Sequence, residues 1–336
     1  YGTYGLSFIC ILFFIFPSLI ILMIQEKKYK FKIRIFIFFS ILIIVISAIL
    51  IFLRFNEKNN EKNYDLTISL IQLNSKNNAS SESSREERLE EINKIIINNK
   101  SDLLIFGEND FPYIIQDHND LKYISNHLKS NQSVVIGATR KENSKFFNTF
   151  VLIESKSTKD FDKIKLVPFG EFLPLRDFLH FLNFFVGKND FSSGSKTRYM
   201  ESSNGLKILP IICYEVIFFN NLLNKFNFNS QLLINITNDS WFGDFSGPYQ
   251  HLYLSIMRAA EFNKPLIRVS NNGISVLTDN RGKIINFIPL NTKGIITSKF
   301  TFSNSLSNFV NYHFFIIFIL LILFIFAIIV NKKTDE

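Results

Sequence analysis

Two long apolar runs near the N-terminus and one near the C-terminus constrain this 336-residue chain more than any other feature. Residues 6–24 and 33–53 each have about the 20 residues needed to cross a hydrocarbon core. The third run, 314–330, is slightly shorter, and Val310 and Tyr312 can complete it at the membrane interface. Buried core helices would carry polar faces, which these runs lack. The chain ends therefore predict three transmembrane helices and exclude a purely soluble globule.

Basic residues beside these runs predict the topology. The segment between the first two runs carries Lys27, Lys28, Lys30, Lys32 and Arg34. Such clusters favour the cytoplasmic side, so we expect residues 56 to about 310 to lie outside the cytoplasm and 331–336 to form a cytoplasmic tail. Because the chain starts at Tyr1 directly before a span, we also expect further membrane helices to precede it.

The net charge and the two cysteines further limit the classes of protein to which the chain can belong. The net charge of +8 and pI of 9.2 are typical of nucleic-acid binders, yet residues 1–55 alone hold six basic side chains and one acid. We therefore interpret the excess as a topology signal and predict no nucleic-acid partner. Cys10 lies in an apolar run and Cys213 in polar sequence, so we predict no disulfide scaffold and a free thiol at Cys213.

The middle of the chain has the pattern of a layered domain. Residues 56–64 form a polar linker, and 65–300 alternate short apolar runs with amphipathic stretches, which favours an α/β or α+β fold. The first predicted helix opens with Ser83 or Ser84 as its N-cap. The predicted strands are 66–73, 102–106, 133–138, 147–153, 207–212, 231–236, 266–270 and 274–278. The predicted helices are 84–98, 118–129, 216–226 and 249–262.

Three reactive side chains accompany these strands. Glu108 and Cys213 lie at or just after strand ends, and Lys163 precedes the run LVPFGE. A carboxylate can take a thiol proton, the thiolate can attack a carbonyl, and an ammonium can stabilise the oxyanion, so the set suits acyl transfer. A lone cysteine that ends a strand is more often a packing residue, and spacing alone leaves both interpretations open.

The local sequence around these residues resembles a known family. The matching stretches are FGEND (106–110), FDKIKLVPFGEFLPL (161–175), ICYEV (212–216) and the long run 237–275. They resemble the carbon–nitrogen hydrolase (nitrilase) superfamily and, within it, the apolipoprotein N-acyltransferases. The resemblance implies a four-layer α-β-β-α sandwich flanked by transmembrane helices, two before and one after. It also implies that Glu108 is the general base, Lys163 the oxyanion lysine and Cys213 the nucleophile.

The same resemblance suggests supporting residues. The family pattern places its lysine after an aromatic residue and an Asp, which selects Lys163 over Lys165. Glu171, Tyr214 and Glu215 match positions that look essential in the family. A second carboxylate would keep the lysine charged, and the backbone N–H of Tyr214 would donate to the oxyanion. The alternative is that Glu171 and Glu215 are surface charges.

Other residues in the matching stretches have weaker expectations. We expect Asn238, Asp239 and Trp241 to form the site wall, with Asn238 and Trp241 as candidate substrate contacts. Trp241 either contacts the acyl chain or packs in the interior. Arg258 and Glu261 are expected to pair on a helix surface. Residues 172–186, with Phe172 and Phe178 as candidate substrate contacts, are either a lid that dips into the bilayer or an ordinary core helix. The histidines lack metal-ligand spacing, so we predict neither metal nor cofactor.

These expectations combine into one function. The resemblance implies transfer of an acyl chain from a membrane phospholipid, through a Cys213 thioester, to the α-amino group of the diacylglyceryl-cysteine of an apolipoprotein. We expect a monomer in the bacterial cytoplasmic (inner) membrane, with its catalytic domain on the periplasmic face. The alternatives are a membrane-tethered nitrilase-type amidase that acts on small amides, and a catalytically inactive scaffold or fragment.

Overall fold

The computed structural model describes residues 2–25, 30–56, 63–75, 81–176, 178, 190–223 and 230–303. These residues form two compact units, one that contains the two N-terminal helices and one that contains the β-sheets.

The first unit contains α1 (Gly2–Gln25) and α2 (Lys30–Asn56), which cover the apolar runs 6–24 and 33–53. Among the described residues, α1 is the one helix with a stretch long and apolar enough to cross a membrane, Gly5–Leu22, by length and composition alone. The shorter apolar helical stretch Ser40–Ile49 lies within α2. The third run, 314–330, falls outside the described residues.

The second unit is built mainly from strands. In chain order its elements are β1 (Asn63–Gln72), α3 (Glu82–Asn98), β2 (Leu103–Ile105), β3 (Ile114–Ile115), a 3-10 helix (His118–Leu121), α4 (Lys122–Ser125), β4 (Ser133–Glu142), β5 (Lys145–Glu154), β6 (Thr158–Asp162), β7 (Met200–Glu201), β8 (Lys207–Ile212), a 3-10 helix (Cys213–Ile217), α5 (Phe219–Leu222), β9 (Leu232–Thr237), a 3-10 helix (Ser240–Phe242), α6 (Ser246–Phe262), β10 (Leu266–Ser270), β11 (Ser275–Thr278), β12 (Ile284–Ile288) and β13 (Gly294–Ser303).

The strands form two sheets. The first has the order β13-β1-β2-β4-β5-β6, with β3 paired to β4, and the second has the order β12-β11-β10-β9-β8-β7. Parallel pairing joins β1 to β2 and β2 to β4 in the first sheet, and β8 to β9 and β9 to β10 in the second. The parallel strands lie in the middle of each sheet, and antiparallel strands form the edges.

Period-two alternation in the strands divides the core into layers. Ile68 and Leu70 of β1 pack with Ile212 and Ile234 of the second sheet. Alternate apolar side chains point the other way, and these pack with Ile92 and Ile96 of α3. Leu252 of α6 packs on Ile274 and Val276 beside the second sheet. The unit therefore has the α-β-β-α layer order that the family resemblance implies.

The predicted strands are all present, and α3 and α6 confirm the predicted helices 84–98 and 249–262, but the other two helix predictions were wrong. Helix α3 starts earlier than expected, because Ser81 accepts the N–H of Ser84 and caps it. The predicted helix 118–129 is a 3-10 turn followed by the single turn of α4. The predicted helix 216–226 is a 3-10 helix and the short α5, and its end from residue 224 lies outside the described residues.

Other differences concern strands and boundaries. Strands β3, β6, β7, β12 and β13 were not predicted. Four of the five residues of β12 are exposed. Asn56 ends α2 and Asn63 begins β1, so both ends of the expected linker 56–64 belong to regular elements.

Candidate active site

The three reactive side chains meet between the ends of the two sheets. Glu108 follows β2, Lys163 directly follows β6 and Cys213 directly follows β8. Lys163 Nζ lies 3.5 Å from Glu108 Oε1, and the charges of both side chains act on the Cys213 thiol. All three residues are buried. The structure thus brings together a thiol, a carboxylate and an ammonium that are far apart in the chain.

Glu108 is held from several sides. Its Oε1 accepts from Asn148 Nδ2 at 2.7 Å, and its Oε2 accepts from the backbone N–H of Asn238 at 2.8 Å. Gly137 permits the close approach of this loop to β4, since a Cβ there would lie 2.6 Å from Glu108 Cα. Burial raises the pKa of Glu108, and the Lys163 charge and the Asn148 hydrogen bond only partly oppose it. Such a carboxylate is suited to accept a proton.

Lys163 keeps its charge although it is buried. Burial alone would lower the pKa of Lys163, but nearby Glu108, Cys213 and Glu171 raise it above its ordinary value. Its Nζ donates to Glu171 Oε1 at 2.7 Å. The side chain is therefore a fixed ammonium next to the thiol.

Cys213 occupies a constrained position at the start of a 3-10 helix. Its φ of 49° is in the left-handed region, which costs a non-glycine residue about 1–2 kcal/mol. Asn235 Nδ2 donates to its carbonyl oxygen at 3.3 Å. Burial, reinforced by the Glu108 charge, raises the pKa of Cys213 to about 12. The thiol is consequently protonated at neutral pH and needs a base when it reacts.

Glu215 is fully buried and satisfied, which rules out the surface-charge alternative. Arg198 contacts its carboxylate twice, each time at 2.7 Å. Three backbone N–H groups complete its surroundings, those of Ile164 at 2.8 Å, Lys165 at 3.0 Å and Ile212 at 3.0 Å. Burial alone would raise the pKa of Glu215, but Arg198 and these donors lower it. This carboxylate ties the segment after Lys163 to the strand before Cys213.

Glu171 contacts Lys163 and Asn148. Its Oε1 accepts from Lys163 and, at 3.0 Å, from Asn148 Nδ2, while its Oε2 accepts from the N–H of Val167 at 2.9 Å. The surface-charge alternative is therefore wrong for Glu171 too. The ring of Tyr214 packs edge-on against Phe218 at 4.8 Å. The oxyanion role of the Tyr214 N–H stays a prediction.

Exposed aromatic residues lie close in sequence to Asn238, whose backbone N–H binds Glu108. Asn238 and Asp239 are buried, but Trp241 is 77% exposed, so the buried-packing alternative for Trp241 is wrong. Phe178 is 80% exposed and Phe172 is partly buried. Residue 177 and residues 179–186 lie outside the described residues, which leaves the choice between a lid and a core helix as a prediction.

A second buried charged group lies behind Cys213. Arg268 Nη2 contacts Asp239 Oδ2 at 2.6 Å, its Nη1 donates to Asn235 Oδ1 at 2.8 Å, and His251 Nδ1 lies 2.9 Å from Asp239 Oδ1. Burial would raise the pKa of Asp239, but Arg268 and His251 lower it to about 2. Asp239 follows β9, His251 lies on α6 and Arg268 lies on β10, so the group joins these three elements. Arg268 also binds Asn235 of β9, whose side chain donates to the Cys213 carbonyl oxygen.

Sequence reasoning missed several of these residues. Asn148, Arg198 and Arg268 were not singled out, although Asn148 and Arg268 stand inside otherwise apolar runs, FFNTFVL and LIRVS. The expected surface pair of Arg258 and Glu261 does form, at 2.8 Å, but both residues are buried. Within the described part of the chain, no His, Cys, Asp and Glu side chains cluster as metal ligands would.

Comparison with known proteins assigns this chain to a family. A family model described as carbon-nitrogen hydrolase matches residues 67–305, more than half of the chain. The chain belongs to the carbon–nitrogen hydrolase family. This confirms the superfamily that the sequence motifs suggested.

Curated relatives narrow the resemblance. The chain is 35% identical over 226 residues to the apolipoprotein N-acyltransferase of Allorhizobium ampelinum, with 64% of the chain and 43% of the relative covered. It is 38% identical over 218 residues to that of Rickettsia typhi, with 61% and 44% covered. The expected similarity to apolipoprotein N-acyltransferases is thus confirmed, while the chain spans less than half the length of these relatives.

Solved structures of the carbon–nitrogen hydrolase family share the fold. A CN-hydrolase superfamily protein from Xanthomonas campestris has a TM-score of 0.54 at 17% identity, covering 71% of this chain and 91% of that one. A mutant amidase from Nesterenkonia sp. AN1, which carries a covalent acetamide adduct on its active-site cysteine, has a TM-score of 0.54 at 14% identity, covering 73% and 92%. At these identities the likeness concerns the fold alone.

Proposed function

We propose that this chain carries the catalytic domain of a phospholipid:apolipoprotein N-acyltransferase. The observation that carries the proposal is the buried group of Glu108, Lys163 and Cys213, in a chain whose curated relatives bear that activity in their names. The acyl donor would be a membrane phospholipid and the acceptor an apolipoprotein with an N-terminal diacylglyceryl-cysteine.

The first half of the proposed reaction forms a thioester. Glu108 accepts the Cys213 proton as the sulfur attacks the ester carbonyl of the phospholipid, because the free thiol is too weakly acidic to ionise alone. Lys163 and the N–H of Tyr214 stabilise the oxyanion. The intermediate then collapses, the lysophospholipid oxygen takes the proton from Glu108, and the acyl chain stays on Cys213.

The second half transfers the acyl chain to nitrogen. The α-amino group of the acceptor attacks the thioester carbonyl, and Glu108 takes a proton from this nitrogen. The carbon–sulfur bond breaks, an amide forms, and Cys213 recovers its proton from Glu108. Exclusion of water from the buried site would protect the thioester from hydrolysis.

Two features support lipid substrates. Helix α1 has the length and apolarity of a membrane span. Exposed aromatic side chains follow the site residue Asn238 along the chain: Trp241, Phe245, Tyr249 and Tyr253. Tryptophan and tyrosine are enriched at membrane interfaces, where their rings contact acyl chains and headgroups. We propose a monomer in the bacterial inner membrane that crosses it several times, with the catalytic domain on the periplasmic face.

Intact mass of the protein after exposure to phospholipid tests the proposal. We expect the protein in detergent, mixed with a defined phosphatidylethanolamine, to gain one acyl chain that hydroxylamine removes. Cys213→Ala should abolish the adduct, and Cys10→Ala, the matched change at the exposed cysteine of α1, should keep it. A diacylglyceryl-cysteine peptide should then discharge the chain and become N-acylated.

The alternatives give different results in the same assay. Turnover of small amides without any phospholipid adduct would support the amidase. Lipoprotein maturation by Cys213→Ala in cells depleted of their own enzyme would support a non-catalytic role and overturn the proposal.

A further inference from the structure

Asn148 lies between the two carboxylates of the site. It belongs to β5 and is buried. Its Nδ2 lies 2.7 Å from Glu108 Oε1 and 3.0 Å from Glu171 Oε1. Ionised carboxylates only accept hydrogen bonds, so the amide nitrogen, and not its oxygen, must face them. Each N–H of the amide is therefore directed at a different glutamate.

The charges around Asn148 do not cancel. Lys163 Nζ contacts Glu171 Oε1 at 2.7 Å and Glu108 Oε1 at 3.5 Å, so one ammonium serves two buried carboxylates. The negative charge of Glu171 raises the pKa of Glu108, whereas the Asn148 hydrogen bond lowers it. A neutral donor beside Glu108 stabilises its ionised form without neutralising its charge.

We propose that Asn148 is a positioning residue that keeps Glu108 ionised and aimed at Cys213. This inference rests on the proposed function for the assignment of Glu108 as the base. Asn148 touches neither the thiol nor the reacting carbonyl in this scheme; it acts through Glu108. Its backbone contributes to the same geometry, because the N–H of Lys163 donates to the Asn148 carbonyl oxygen at 2.8 Å.

The pH profile of Cys213 alkylation tests this role. The rate constant for iodoacetamide with the full chain in detergent is measured from pH 4 to 9 and followed by the mass of the Cys213 peptide. The acid limb of this profile reports the coupled ionisation of Glu108 and the thiol. Asn148→Leu keeps the branching at Cγ but removes both donors, so we expect the limb to move upward by about one pH unit. Asn148→Ala should move it in the same direction.

A matched control separates positioning from folding. Asn93 is a buried amide that donates to the Leu89 carbonyl of its own helix α3. Asn93→Leu makes the same chemical change away from the carboxylates, and we expect it to leave the limb in place even if it lowers the melting temperature. A limb that stays at the wild-type pH in both Asn148 variants, or that moves as far in Asn93→Leu, would overturn the proposal.

The assay also distinguishes failure of the broader function. If Glu108→Gln leaves the alkylation profile unchanged, Glu108 is not the base and this inference fails with it. If the profile depends on Glu108 and Asn148 but phospholipid leaves no thioester on Cys213, the acyltransferase proposal fails while the role of Asn148 is supported.

Discussion

Glu108 and Glu215 are both buried carboxylates near Cys213, yet their pKa values move in opposite directions. Glu108 shares the single ammonium of Lys163 with Glu171, and burial raises the pKa of Glu108. Glu215 receives two hydrogen bonds from Arg198 and three from backbone N–H groups, which lower its pKa despite burial. Glu108, whose charge is incompletely matched, is therefore the carboxylate able to take a proton. Glu215, whose charge is fully matched, is the one that holds the loops.

The largest expected effect comes from Glu108. Glu108→Gln removes the proposed base and should slow acylation of Cys213 by phospholipid about 10²- to 10⁴-fold. The melting temperature should not fall, because no fully matched ion pair is lost. Single-turnover acylation measured by mass, together with thermal unfolding, checks both statements. A variant that acylates at the wild-type rate would remove Glu108 from the mechanism.

Glu215→Gln should instead lower the stability of the fold. The amide nitrogen would face donors, and the buried charge of Arg198 would lose its carboxylate, so we expect a loss of about 3–5 kcal/mol in the free energy of unfolding. Urea unfolding at pH 7 measures this loss. Arg198→Met combined with Glu215→Gln serves as the control, since removal of both charges should recover part of the stability. If Glu215→Gln folds as tightly as wild type, the comparison between the two glutamates fails.

Asp110 is a third buried carboxylic acid, and like Glu108 it has few groups that stabilise its charge. Its Oδ2 accepts the N–H of Gly107 at 2.6 Å, and its Oδ1 has no hydrogen-bond partner among the described residues. Burial, opposed in part by the Gly107 hydrogen bond, raises the pKa of Asp110 from 3.8 to about 7. The folded state therefore binds this proton more tightly than the unfolded chain does.

The sign of the resulting pH effect follows by linkage. As pH rises through the window between the unfolded value of 3.8 and the folded value of about 7, ionisation of Asp110 progressively costs stability, and above the window the cost is constant. Asp110→Asn should thus stabilise the protein by about 1–3 kcal/mol at pH 8 and by almost nothing at pH 4. Urea midpoints at the two pH values check this. An equal effect at both would assign the change to packing.

Much of the fold could be predicted because its information is local. The alternating side chains of β1 and the apolar runs of β4 and β8 identify strands by themselves. Strand β12 escaped because its residues are mostly exposed, and helix α4 was overestimated because the polar stretch after His118 forms a 3-10 turn and one helical turn. In both places the packing partners, and not the local pattern, determine the structure.

Some residues of the candidate site could likewise be predicted from the sequence, and others could not. Glu108, Lys163 and Cys213 could be predicted from motifs, since each lies in a characteristic short stretch. The partners that set their ionisation could not, because Asn148 meets Glu108 across 40 residues of chain and Arg268 meets Asp239 across 29. Periodicity in one sequence contains no pairing information at such separations. An amide or a charge inside an apolar strand is the one local sign that such a partner exists.

The smallest expected effect concerns Glu90, a paired glutamate that is exposed to solvent. Glu90 is matched by Lys94 at 3.3 Å on α3, but the Glu90 side chain is 65% exposed. Water and salt screen an exposed pair, so Glu90→Gln should change the free energy of unfolding by no more than about 0.5 kcal/mol. Urea unfolding beside Glu215→Gln compares the same substitution at two paired glutamates. A loss at Glu90 as large as that at Glu215 would mean that pairing alone determines the cost, whereas a small loss assigns the difference to burial.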